Sequence, residues 1–100
     1  TLIFDEVDAG IGGAVAETVG KLLRQLGESH QILCVTHLPQ VAAQGNHHLK
    51  VSKSHTGDKT LSQVMPLGRA ERVEEVARML GGATITDTTR RHARELLESN

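Results

Sequence analysis

Thr1-Leu2-Ile3-Phe4-Asp5-Glu6-Val7-Asp8-Ala9-Gly10-Ile11-Gly12-Gly13 opens the chain, and the segments that follow take their meaning from it. An uncharged, β-prone run enters two adjacent carboxylates, and a third carboxylate follows beside a glycine-rich turn. Thr1 to Phe4 can sit in a sheet covered on both faces, whereas Asp5 and Glu6 cannot be buried without an ion or hydrogen bonds to compensate. The pattern predicts a parallel strand whose carboxyl end faces something cationic.

In a nucleotide-hydrolysing site, two such neighbours divide the work. The first holds Mg²⁺ through its water shell, and the second orients and deprotonates the water that attacks the γ-phosphate. Alternation along a strand sends Asp5 and Glu6 in different directions, as that division requires. Taken alone, the same residues also fit an ordinary strand that enters an acidic surface loop.

The next segments favour the first reading. A helix is expected from about Ala14, with Val15, Val19, Leu22 and Leu26 on one face, Ala16 and Leu23 supporting them, and Gly27 as its stop. Glu17 and Lys21 form an i,i+4 pair, and Gly20 is expected to let the helix approach the sheet closely. Gln31 to Thr36 reads as a second strand. Strand, helix and strand make a βαβ unit with parallel strands and a right-handed crossover. Thr36 and His37 then arrive at the same sheet end as Asp5 and Glu6, where a histidine can donate a hydrogen bond to a phosphate oxygen.

Leu2 to Gly13, together with Val35-Thr36-His37-Leu38-Pro39-Gln40-Val41-Ala42, closely resembles the carboxyl-terminal ATPase lobe of the RecN family of bacterial DNA-repair proteins. The resemblance extends to the tail Ala77-Arg78-Met79-Leu80-Gly81-Gly82. That family is related to the structural-maintenance-of-chromosomes (SMC) and ABC-type ATPases. The resemblance implies that Asp5 is the Walker B aspartate, acting on Mg²⁺ through water, and that Glu6 is the catalytic glutamate. It further implies that Asp8 is the D-loop aspartate near a dimer interface and that His37 is the switch histidine at the γ-phosphate. ATP and Mg²⁺ are the implied cofactors, and the implied partners are a second ATPase head in a homodimer and DNA.

No G-x-x-x-x-G-K-[ST] run occurs in the sequence, and the family's glutamine loop and signature motif are missing as well. Residues 1–100 are therefore expected to be a piece of a longer protein, running from the Walker B strand onward and holding about half of a composite site. The fold expected is α/β, part of a P-loop NTPase sheet of the ABC and SMC-like head type. By resemblance, the complete protein is a Mg-dependent ATPase in DNA double-strand-break repair and recombination, within the SOS response to DNA damage, and the isolated segment is inactive. The rival reading is a non-catalytic structural or interaction domain on an ATPase-like sheet; a narrower one is the same segment of another ABC-related DNA-processing ATPase.

Composition narrows the partners. The formal charge of −1 gives no global attraction for nucleic acid, and Phe4 is the only aromatic residue, so base stacking by this segment is not expected. Cys34 cannot form an internal disulfide and reads as a buried strand residue in a reducing compartment. No apolar stretch reaches membrane-spanning length, and the carrier protein is expected in the cytoplasm, at the nucleoid during repair.

Beyond the βαβ unit, Leu38 to Gln44 is expected to form a short helix with Pro39 in its first turn, ended by Gly45-Asn46. His47 to Ser54 and Lys59 to Leu67 read as a hairpin around His55-Thr56-Gly57-Asp58 that extends the sheet at its margin. Leu49 and Val51 are expected inward and Lys50 outward, and Lys50, Lys53 and Lys59 are expected to form a small basic face. The spacing of His30, His47, His48, His55 and Cys34 matches no regular zinc signature. Two helices close the chain. Ala70 to Leu80 carries Val73, Val76, Ala77 and Leu80 on one face, and a second helix runs to Glu98, capped by Asp87, with Arg90, Arg91 and Arg94 as a charged outer cluster.

Overall fold

A computed structural model describes residues 1–5, 10, 12–81 and 84–98. The element order is β1 (Leu2–Asp5), α1 (Gly13–Leu26), β2 (Ile32–Val35), α2 (Pro39–Ala42), β3 (Leu49–Thr56), β4 (Lys59–Pro66), α3 (Arg69–Gly81) and α4 (Asp87–Glu98). The fold is mixed α/β, with the expected βαβ unit, hairpin and closing helices.

β1 and β2 pair in parallel, in a register that runs from Leu2 opposite Ile32 to Asp5 opposite Val35. The expectation of a strand covered on both faces is corrected: Ile3 is 68% exposed, Leu2 is also exposed, and only Phe4 is half-buried. Cys34 is likewise half-buried rather than buried. The cause is that α1 lies on α2 and not across the strands. Ala16 and Gly20 are its buried residues, while Val15 and Leu22, expected on the buried face, stay exposed. A Cβ built on Gly20 would meet Gln44 Cγ at 2.8 Å, the Gln40 carbonyl at 3.1 Å and Val41 Cα at 3.3 Å, so the close approach expected toward the sheet is made to α2 instead. The Glu17–Lys21 pair forms at 3.1 Å.

β3 and β4 pair antiparallel over all eight residues of each strand, and a two-residue turn, Gly57 (φ 61°) and Asp58, joins them. His55 and Thr56, expected in the turn, are strand residues opposite Thr60 and Lys59. This hairpin is a second two-stranded sheet among the described residues, not an extension of the first. Its facing also differs from the expectation: Lys50 and Ser52 are half-buried, while Leu49 and Val51 are exposed. Glu75 on α3 pairs with Lys50 at 3.1 Å on the face that turns inward. Because side chains alternate along a strand, Lys53 lies on the opposite face from Lys50 and Lys59, so the three lysines do not form one basic face.

The core lies between the last two helices. Val76, Ala77 and Ala93 are fully buried, with Val73, Leu80, Ile85, Leu96 and Leu97 packed around them, as the spacing predicts for α3 and α4. The helix starts use caps that the sequence reading missed. Glu71 Oε1 accepts the Gly68 N–H at 3.1 Å, half of a reciprocal capping arrangement. Thr86, not Asp87, caps α4: its hydroxyl oxygen accepts the Thr89 N–H at 3.2 Å.

Candidate functional site at the carboxyl end of the parallel strands

The parallel register sets the site. Asp5 ends β1 opposite Val35, so the chain leaving β2 delivers Thr36 and His37 to the sheet end that Asp5 occupies. Asp5 and His37 are both exposed there. Glu6 and Asp8 lie outside the described residues, as does Gly82 of the tail. Of the four residues singled out from the sequence, Asp5 and His37 are described, and the register puts both at the same end of the sheet.

The loop after β2 is fixed on both sides of His37. Thr36 Oγ1 accepts the Leu38 N–H at 3.0 Å, which closes a tight turn around the histidine. Leu38 then has extended backbone angles, and Pro39 starts α2 with its ring in the first turn. Gly13, at the start of α1, comes within 3.5 Å of the Gln40 amide as measured from a built Cβ, so the start of α1 and the start of α2 are neighbours.

At its far end α2 is held by two guanidinium groups. Arg24 Nη1, from α1, donates to the Gln44 carbonyl at 2.7 Å. Arg72 Nη2, from α3, donates to the carbonyls of Ala42, Ala43 and Gly45 at 3.0, 3.3 and 2.5 Å. Helix ends leave carbonyls without intrahelical donors, and cations are favoured beside them. Burial, and then the charge of Arg24, push the Arg72 guanidinium below its ordinary value. Neither arginine was singled out from the sequence. The available signal was a short helix with no basic residue in its last turn, but which distant cations would serve it is a matter of tertiary packing.

A second polar cluster joins the hairpin to α3. Glu75, 7% exposed, pairs with Lys50 and with the Arg78 guanidinium. Arg78 first and Lys50 second hold its carboxyl below the usual range, against the opposing effect of burial. His48 is pushed below its ordinary value by burial and by the charge of Arg72. On the outer surface, Arg90 pairs with Glu74 at 2.7 Å and Asp87 at 3.2 Å.

Hollows of about 430 and 390 Å³ flank α3, and neither is lined by Asp5, Thr36 or His37. The candidate site is an open strand edge. Among the described residues no group of three His, Cys, Asp or Glu side chains can hold a metal ion. The exposed carboxylate of Asp5 fits Mg²⁺ held through water, with the remaining ligands from solvent and phosphate. No helix among the described residues is long and apolar enough to cross a membrane.

No family model matches the chain. The DNA repair protein RecN of Vibrio cholerae is 57% identical over 97 residues, which is 97% of this chain and 18% of that protein. RecN of Deinococcus radiodurans is 50% identical over 97 residues, and RecN of Bacillus subtilis 44% over 98, each match covering 17% of the relative. The chain thus spans less than a fifth of the length of these curated relatives. A solved structure from work on ATP-driven dimerization and DNA-stimulated activation of SMC ATPases superposes with a TM-score of 0.67 at 20% identity, covering 82% of this chain and 48% of the other. Nearly the whole chain is therefore homologous to a segment of the RecN DNA-repair proteins, and its mixed α/β fold is consistent with part of a P-loop NTPase fold.

Proposed function

We propose that residues 1–100 form the Walker B to carboxyl-terminal part of an ATP-hydrolysing head in a cytoplasmic DNA double-strand-break repair protein. The observation that carries this reading is the parallel pairing of Asp5 with Val35, with Thr36 and His37 next in the chain. In the complete protein the reaction is ATP plus water to ADP plus phosphate. Bound Mg²⁺ would neutralise developing charge on the phosphate oxygens. Asp5 accepts a hydrogen bond from water in the metal's shell, and Glu6 takes the proton of the attacking water. His37 donates to a γ-phosphate oxygen, while Asp8 serves the contact with a second head. DNA is engaged through the complete protein, since the segment has a formal charge of −1.

Single-turnover hydrolysis by the full-length protein tests the assignments. Glu6→Gln is expected to keep ATP bound while slowing hydrolysis by about a hundredfold or more. Asp5→Asn should weaken productive metal positioning, and His37→Ala should slow hydrolysis by roughly ten- to a hundredfold while sparing ADP affinity. The purified 100-residue chain should release no phosphate from ATP. Hydrolysis at the ordinary rate by Glu6→Gln would remove Glu6 from the base role, and turnover by the isolated chain, abolished by that substitution, would overturn the composite site.

A further inference from the structure

We propose that Arg72 is a positioning residue for His37, acting through α2 from the other half of the molecule. The inference rests on the phosphate-contacting role proposed for His37. β1, α1, β2 and α2 make one half of the chain, and β3, β4, α3 and α4 make the other. Arg72 belongs to the second half, yet its guanidinium donates three hydrogen bonds to carbonyls at the end of α2 in the first.

α2 needs such support. Its four residues are far too few to hold a helix by backbone bonding alone, because the nucleating turn costs more than the few bonds after it return. Val41 and Ala43 bury its inner side, and Gln44 is buried against Gly20. What remains to fix its position along the axis is the set of carbonyls at its end. Those carbonyls receive Arg24 from α1 and Arg72 from α3, two cations brought together at some electrostatic cost.

The beginning of α2 is tied as tightly to His37. Only Leu38 separates the histidine from Pro39, whose ring fixes its backbone angle, and the Leu38 N–H is held by Thr36. A shift of α2 along its axis therefore moves Leu38 and, with it, the His37 ring. Misplacement of a catalytic contact by about 1 Å can cost on the order of a hundredfold in rate. The second half of the molecule, through one side chain, sets where the histidine stands.

The test is a double-mutant cycle in the full-length protein, read as single-turnover ATP hydrolysis, with circular dichroism to establish folding. Arg72→Ala is expected to slow hydrolysis about tenfold. His37→Ala is also expected to slow it, and the double variant should be no slower than His37→Ala alone, since Arg72 then has nothing left to position. Arg72→Lys keeps the charge without the planar fork and should recover part of the rate. If Arg72→Ala does not fold, the same cycle is run with Arg72→Lys. Losses that multiply in the double variant would overturn the proposal while leaving His37 in its role, as would hydrolysis at the ordinary rate by a folded Arg72→Ala protein. Ordinary hydrolysis by His37→Ala would instead remove the role of His37, and the proposal with it.

Discussion

The closing helix pair, α3 with α4, and the βαβ half use their apolar residues in opposite ways. In the closing helices, Val76, Ala77 and Ala93 form a closed core, and the buried carboxylate of Glu75 is matched by two cations. In the βαβ half, Ile3, Leu22, Leu33 and Val35 stay exposed, and the buried residues, Ala16 and Gly20 of α1 with Pro39, Val41, Ala43 and Gln44, lie where α1 meets α2 and the chain after it. The first arrangement stabilises itself. The second depends on close backbone approach and on two arginines at the end of α2, of which Arg72 comes from the other half.

Stability measurements should expose that contrast most clearly in paired truncations. Val76→Ala removes two methyl groups from a fully buried site and should cost about 2 kcal/mol. Ile3→Ala, at an exposed strand position, should cost less than about 0.5 kcal/mol in the same chain. Urea unfolding of both variants decides it; equal losses would break the distinction between the two regions.

A smaller effect is expected where the βαβ half is tight. In an exposed helix, Gly→Ala would stabilise by about 1 kcal/mol. At Gly20 the added methyl meets the Gln40 carbonyl and the Gln44 side chain, an overpacking cost of about 1–3 kcal/mol. The net expectation is a loss of about 1 kcal/mol by the same urea unfolding; a gain would show that α1 and α2 are looser than their contact indicates.

The mildest probe is pH, which should act on the hairpin half. His48 is lowered in the folded chain by burial and Arg72, so the unfolded chain binds the proton first. Its contribution is complete above about pH 6.5 and is lost as pH falls from there through the folded value. Glu75, lowered chiefly by Arg78, contributes fully above about pH 4.5, and that contribution is lost as pH falls through its folded value. Both effects make acid destabilising, in two separable windows. His48→Gln should flatten the upper window and Glu75→Gln the lower one in unfolding experiments across pH; unchanged profiles would detach both groups from stability.

Much of the βαβ unit was legible because its signals are local. An uncharged run before Asp5, a 3/4 apolar spacing to Gly27 and a second apolar run before Thr36 suffice to set strand, helix and parallel strand. What escaped depended on distant partners. Alternation in β3 leaves two choices of face, and apolarity pointed to Leu49 and Val51. The structure turns Lys50 inward, where it meets Glu75 on α3, twenty-five positions later in the chain. Arg24 and Arg72 were hidden for the same reason, since nothing near either one in sequence says that it will meet the end of α2. Asp5 and His37 could be paired in advance because parallel strands carry their carboxyl ends to one side.

The hairpin tip also offers a practical handle. Gly57 and Asp58 turn at the end of a ribbon roughly 26 Å long, and a Cβ built on Gly57 would meet nothing within 4 Å. Exposed turns of this kind accept insertions readily. A short affinity peptide or a fluorophore-bearing residue placed after Asp58 would give the protein a reporter on a strand ribbon that contributes nothing to the Val76–Ala77–Ala93 core.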